Sequence, residues 1–413
     1  MIRLSQSIPI GLLDAGSAAL ATFAIGVYAA ANFAPADLGV YALFFAIFLL
    51  AAIVPSSLVF LPGEVRLLDL PREQRLDGFR LTLPVGVPVA AGASLLVLIA
   101  LIPAADAGRS LVVPLTVTTI VAAILSPIQD HVRRVMHLAG TSWLAALTSI
   151  VQLIVAGACL FGGIAAGLDT VWIPFGTLVV ANAVSASVGI LLARRYAAPA
   201  VGTPFTIRDL AASGRWLTGV GLLPLGTTFL AAAIVDLTAG SEFLGFAEAA
   251  RIASRPLLVL VTGFSAVLTP PSLLAGRNRD RGEGVRLARI SKLVVIGSGL
   301  LLLLWTGFDW WGNPMAWLVP EAYTVNGLTA VTIFTAVIWG MLFSDESQLI
   351  GGGREVDIFK IYLVGALVQV PIAFTAPITE SYALVLSALG FGIVRLVGYR
   401  RALGRVYRSS TKM

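Results

Sequence analysis

The sequence predicts an all-α polytopic membrane protein of about 12 transmembrane helices, and three observations carry that prediction. Of 413 residues, 58% are hydrophobic and only 12% are charged, with a mean hydropathy of +0.92; soluble domains carry roughly a quarter charged residues. The apolar stretches are long and continuous rather than alternating. When they are threaded through a bilayer, the basic residues fall on one side.

A helix needs roughly 20 apolar residues to cross a ~30 Å hydrocarbon core, and twelve stretches approach that length. The first, near 8–31, follows only Arg3 and lacks a small-residue cleavage site, so it reads as a retained helix rather than a secretion signal. Spans near 39–61, 82–103, 111–128, 143–166 and 171–193 complete the first half. Spans near 216–238, 244–272, 290–308, 323–343, 358–378 and 381–398 make up the second. Helix is the structure that suits them, because in lipid each backbone amide must be bonded within its own segment, and barrel strands alternate. Proline recurs inside the spans, at Pro55, Pro84, Pro88, Pro114, Pro224, Pro256, Pro270, Pro271 and Pro371. Packing kinks account for most such positions, and bending during gating is the sharper alternative.

With the N-terminus placed in the cytoplasm, all of the 28 basic residues except Arg109, Arg251 and Arg255 lie on inside segments. This is the positive-inside pattern. It puts both termini on the cytoplasmic side of a cell (inner or plasma) membrane, and an odd number of spans in either half would scramble it. The net charge of +6 follows from this bias. It implies contact with anionic membrane lipids and is no argument for nucleic acid. Cys159 lies alone in an apolar span, so no disulfide, zinc site or redox pair can be argued.

The widest polar interruption near the middle, about 194–215, holds Pro199, Gly202, Pro204 and four arginines. It separates an N-terminal six-helix lobe, 1–200, from a C-terminal one, 201–413. Two related bundles around a central cavity is the layout of a transporter, and six spans per half makes the repeat a parallel one. A faint echo supports duplication. ADLGVYAL (Ala36–Leu43) enters span two, and EFLGFAEA (Glu242–Ala249) stands 206 residues later. HLAG (His137–Gly140) is matched by IGGG (Ile350–Gly353) at an offset of 213. The longest outside loop, about 308–322, contains Asp309, Trp310, Trp311, Trp317 and Glu321. Clustered tryptophans at a span boundary read as an interfacial anchor, with a sugar-stacking platform as the sharper alternative.

An ionisable group inside a span costs at least ~2.5–3.5 kcal/mol and so faces a cavity or a partner. Glu248, Arg251 and Arg255 in span eight follow i, i+3, i+7 spacing and share one helical face. Two guanidiniums aimed into a cavity suit a diphosphate, because arginine presents a planar fork to phosphate oxygens. The plainer alternative pairs Glu248 with Arg251 and lets Arg255 snorkel to the interface. Asp14, about two turns into span one, is a candidate proton or cation site for coupling, or else a partner for a neighbouring helix. Asp236 near the end of span seven is a second ion candidate, or a residue at the water interface.

No catalytic residue, metal or cofactor is indicated. The G-x-x-x-x-G-K-[ST], G-x-S-x-G and H-E-x-x-H patterns are absent. Gly351–Gly353 with Arg354 reads as a flexible turn, and His131 and His137 flank a cytoplasmic loop with no third ligand.

On these features the chain resembles a polysaccharide flippase of the multidrug/oligosaccharidyl-lipid/polysaccharide (MOP) exporter superfamily, with a MATE-like fold. The carriers are the six-plus-six spans, LGVYAL (Leu38–Leu43) with its LGF counterpart (Leu244–Phe246), and the basic loop RRVMHLAG (Arg133–Gly140). The resemblance implies two lobes around a cavity that opens alternately to each face. It implies an oligosaccharide linked through diphosphate to a polyprenyl lipid as substrate, moved to the outer leaflet for surface polymer assembly. The polymerase or glycosyltransferases of the same pathway are the implied partners. Arg251 and Arg255 match the arginines such transporters place in the cavity. Spans one and two lack arginine, and the two further spans of the peptidoglycan-precursor branch are missing, which speaks against that substrate.

Two rivals stand beside this reading. A drug or cation antiporter of the MATE branch would use Asp14 for coupling and line its cavity with acid, and the arginines of span eight oppose it. A membrane-embedded glycosyltransferase or polysaccharide polymerase would carry a large outside loop, which is missing. A facilitator-superfamily carrier is disfavoured because Pro62–Arg80 lacks the D-R-x-G-R signature.

Overall fold

The computed structural model describes residues 4–199, 204–308, 310–314 and 318–408. Twelve long helical segments follow in order: α1 Leu4–Asn32, α2 Pro35–Leu67, α3 Arg72–Leu101, α4 Arg109–Leu138, α5 Ser142–Ala165 and α6 Ile173–Tyr196. Then come α7 Ile207–Ala239, α8 Ser241–Asn278, α9 Arg281–Thr306, α10 Leu328–Gly351, α11 Glu355–Ala373 and α12 Tyr382–Arg408. Among the described residues eleven are long and apolar enough to cross a membrane, and α8, bent by 55° between Ser265 and Leu268, brings the number to 12 if its two parts form one span. The protein is a multi-pass membrane protein built of helices.

Local chemistry explains the irregular stretches. Pro55 has no N–H to donate, and α2 continues past it through a π-helical turn, Ser56–Phe60. The segment α10 breaks at Met341–Leu342 between Leu328–Gly340 and Phe343–Gly351. The main departure from the expected spans lies at helix ends. Helix α4 runs on to Leu138, so His131, Arg133, Arg134 and His137 are helical rather than parts of a loop. Apolar runs underestimate these helices because their last turns bury polar side chains against one another.

The chain divides into two compact units, Met1–Asn32 with Leu43–Gly226, and Phe33–Ala42 with Thr227–Met413. The division cuts through α2 and α7, so each sequence half contributes a stretch of helix to the other half's unit. In the first unit α1 packs along α5, α5 along α6, and α4 against both α3 and α6. Phe79, Val132, Met136, Leu144 and Ala193 form one of its cores. In the second unit α11 packs along α12, and α8 against α9 and α10, around Leu257, Val295, Leu302, Ile333 and Ala336.

The internal echo marks matching tasks. A Cβ on Gly39 would overlap the Ser241 carbonyl, and one on Gly245 would overlap the Pro35 carbonyl. The starts of α2 and α8 therefore touch backbone to backbone within the second unit, as small residues allow helices in lipid to do. Leu38 and Leu244 beside them are fully buried. Gly140 and Gly353 both adopt positive φ, +72° and +68°. Each closes a helix: Thr141 N–H donates to Met136 O at 3.0 Å, and Arg354 N–H to Leu349 O at 2.9 Å. A left-handed residue followed by this bond is a glycine C-cap.

Candidate functional site

Helix α8 starts at Ser241, after Gly240 turns the chain at φ +111°. Two turns in, Glu248, Arg251 and Arg255 come together on one face. Arg251 donates Nε to Glu248 Oε2 at 2.6 Å and Nη2 to Oε1 at 2.7 Å. Arg255 Nη2 reaches the same Oε1 at 3.1 Å. The side chains of Glu248 and Arg255 are 3% and 9% exposed, that of Arg251 33%. The buried hydroxyl of Tyr41, from the stretch of α2 in this unit, hydrogen-bonds Arg255. One carboxylate thus holds two guanidiniums, and the three groups together carry one surplus positive charge. Arg255 does not reach for solvent; it is packed inside, behind the half-exposed Arg251.

Asp14 occupies the first unit. Its carboxylate accepts Arg133 Nε at 3.0 Å and Nη2 at 2.9 Å, a bidentate pair from α1 to α4. His137 Nε2 lies 2.8 Å from Oδ2, and Ser149 Oγ on α5 donates to Oδ1 at 2.5 Å. His137 Nδ1 meets Ser142 Oγ at 3.0 Å. Asp14 on α1 is thus held by side chains from α4 and α5. Asp236 is half-buried one turn before the end of α7, where its carbonyl accepts Gly240 N–H at 2.9 Å. Asp14 and the α8 trio belong to different units.

Solved structures decide what this helix order is. A multidrug resistance MATE family transporter of the MOP superfamily in its inward-facing conformation matches with a TM-score of 0.69 at 13% identity, over 95% of this chain and 96% of that one. The outward-facing conformation of such a transporter gives a TM-score of 0.64 at 14% identity over 98% and 95%. The chain has the MATE fold. A MOP superfamily transporter from Pyrococcus furiosus shares the fold, with a TM-score of 0.65 at 14% identity over 99% and 96%. No family model matches the chain, and no curated protein matches its sequence.

The MATE fold of this chain carries further buried polar groups that sequence reasoning missed. In the first unit Glu64 on α2 accepts His131 Nδ1 at 2.8 Å and Arg134 Nε at 3.0 Å. His131 Nε2 faces Thr82 Oγ1 at 2.7 Å, and the Phe60 ring stacks on the imidazole at 4.5 Å. In the second unit Arg395 on α12 lies over the rings of Trp339, Tyr362 and Tyr399, at 4.8, 5.3 and 5.4 Å. Its Nη2 donates to Glu346 Oε2 at 2.7 Å, a cation held by aromatic faces and a carboxylate together. Arg395 read as one more topological charge because it lies near the end of an apolar run. The structure places it well inside a helix that continues to Arg408.

Trp310 and Trp311 meet edge to face at 5.7 Å, and Trp310 Nε1 donates to Trp305 O at 3.0 Å. Trp311 is 91% exposed; Asp309 and Trp317 lie outside the described residues. Close by, Tyr323 OH donates to Phe33 O at 2.6 Å. Burial, with the Asp37 carboxylate adding to it, pushes that phenol up to about 12, so it remains a donor throughout the physiological range.

Proposed function

We propose that this protein moves a polyprenyl-diphosphate-linked oligosaccharide from the inner to the outer leaflet by alternating access, for cell-surface polysaccharide assembly. The observation that supports this is the α8 trio: two guanidiniums sharing one buried carboxylate, with a surplus positive charge and the outer guanidinium half-exposed. Glu248 holds both forks in place before a ligand arrives, so little ordering remains to be done on binding. It also competes with the diphosphate for the same N–H groups, which keeps the ligand from being held too tightly to leave. The neighbour from Pyrococcus furiosus is described as having a binding pocket of reversed polarity that suggests a different function. A net positive cluster is what an anionic substrate needs here.

In this reading Asp14 is the coupling candidate, with His137 Nε2 2.8 Å from its carboxylate. Asp236 is the second ion candidate. The cell membrane is the site of action, both termini are cytoplasmic, and a polymerase or glycosyltransferases of the pathway are the partners. A second reading, a drug or cation antiporter, draws on the multidrug resistance transporters among the neighbours and on the Asp14 carboxylate.

The test uses proteoliposomes holding a labelled polyprenyl-diphosphate oligosaccharide, with the appearance of sugar at the opposite face followed over time. Flipping by wild type that collapses in Arg251→Gln/Arg255→Gln supports both function and site. Flipping that survives the substitutions keeps the function and discards the site. No flipping above empty liposomes, with proton-driven cation export that depends on Asp14, establishes the antiporter instead.

A further inference from the structure

A separate cavity of about 740 Å³ opens in the second unit, between α9, α10 and α12. Its walls have two characters. Arg281 and Arg289 on α9 and Arg400 on α12 line one end, while Leu293 and Ile296 on α9 and Leu396 on α12 line the other. Leu293, Ile296 and Leu396 lie a turn or more further into their helices than Arg289 and Arg400, while Val285 and Leu403 stand among the basic residues. Leu293 is 66% and Ile296 39% exposed, facing where acyl chains would run.

The polar floor of the cavity is satisfied from within. Lys292 Nζ pairs with Asp345 at 2.7 Å, Tyr407 OH donates to Gln348 Oε1 at 2.7 Å, and Gln348 Nε2 donates to Gly284 O at 3.0 Å. The nearby Asp280 is engaged as the N-cap of α9, accepting Glu283 N–H at 3.0 Å. Arg281, Arg289 and Arg400 make no ion pair or hydrogen bond among the described residues. Three guanidiniums without a protein partner among the described residues thus stand at the mouth of an otherwise self-satisfied, apolar-backed cavity, free to take an anion.

We infer that this cavity binds an anionic membrane phospholipid, with its phosphate among Arg281, Arg289 and Arg400 and its upper acyl chains against Leu293, Ile296 and Leu396. Basic pockets between transmembrane helices at the headgroup level recognise such lipids. The site belongs to the second unit alone and does not depend on what the protein transports. Its occupant would brace α9 against α12, which touch the same lipid from two sides.

The test purifies the full chain in neutral detergent and measures bound lipid by native mass spectrometry and the unfolding temperature by tryptophan fluorescence. Phosphatidylglycerol, phosphatidylcholine and water-soluble glycerol phosphate are added in turn. Phosphatidylglycerol is expected to be retained and to raise the unfolding temperature, and the other two are not. At roughly one kcal/mol per basic residue, Arg281→Gln/Arg289→Gln/Arg400→Gln should bind it about 100-fold more weakly. Arg194→Gln/Arg195→Gln, which removes exposed arginines elsewhere, should bind as wild type does. Gly404 lines the cavity with open space where a Cβ would stand. Gly404→Trp therefore fills the cavity with every charge kept and should also lose the lipid; this second variant stands if the triple one fails to fold. Equal retention by the triple variant or by Gly404→Trp would overturn the proposal. Equal retention of phosphatidylcholine would reduce the site to an apolar groove, and an equal effect of glycerol phosphate would reassign it to soluble phosphate.

Discussion

The two ion clusters, Asp14 in the first unit and Glu248 in the second, use similar groups to opposite ends. Around Asp14 the partners come from α4 and α5 while the carboxylate comes from α1, so each bond ties one helix to another. Around Glu248 all three charges sit on α8. The first cluster joins three helices, because its carboxylate is shared by groups from two others. The second makes its ion pairs within one helix, two guanidiniums on one carboxylate. A cross-helix cluster therefore reads as a fastener, and a same-helix cluster with a surplus as a place to receive something.

That contrast can be broken most directly at α8. Two charge-assisted hydrogen bonds are worth ~1.5–3 kcal/mol each, so Arg251→Gln/Arg255→Gln should slow flipping by roughly 100-fold to 10,000-fold. Because the change also leaves the buried Glu248 carboxylate without its two cations, the unfolding temperature should fall as well, and transport is therefore read per folded molecule. A large loss of stability with transport intact would mean that the α8 trio is the fastener.

Asp14→Ala is expected to cost about 1–3 kcal/mol, because Arg133 loses its bidentate carboxylate and keeps only the half-exposed Asp130. Denaturant or thermal unfolding in detergent measures the loss. The triple change Asp14→Leu/Arg133→Leu/His137→Leu should recover most of it, since apolar side chains of similar bulk replace buried ion pairs at little cost. No recovery would show that the charges do more than join helices.

Arg395 extends the comparison to a cross-helix cluster in the second unit. Arg395→Met should lower stability by about 2–3 kcal/mol, losing the Glu346 bond and three ring contacts. Transport per folded molecule should be unchanged; a transport defect at full stability would move Arg395 from fastener to functional site. The smallest effect is expected at the helix crossing. Gly39→Ala pushes a Cβ into the Ser241 carbonyl and should cost about 1–3 kcal/mol, read as a lower unfolding temperature. A neutral outcome would show that α2 and α8 can part at their starts.

The membrane class, the helix count and the α8 face were legible in the sequence, because each rests on local pattern. Twenty apolar residues need no partner to declare a span, and residues at i, i+3 and i+7 share a face in any α-helix. The echo glycines were visible as letters, and the structure gives them two tasks: backbone contact at Gly39 and Gly245, helix closure at Gly140 and Gly353. What stayed hidden is where polar residues pair over long separations. Glu64 with His131, Asp14 with Arg133 and Glu346 with Arg395 join positions 67, 119 and 49 residues apart. Nothing in local composition distinguishes such a buried arginine from one that merely sets topology.

The sequence by itself determined that the chain lives in a bilayer as a bundle of helices, since the cost of an unbonded backbone amide in lipid allows little else. It also determined that α8 presents two arginines and a glutamate together. Only the tertiary structure decided which charges join one helix to another, which pair within a helix, and which arginines at the mouth of a cavity have no ion pair or hydrogen bond among the described residues. Charge pairing depends on distances set by packing of the whole unit, and a chain of letters does not carry those distances.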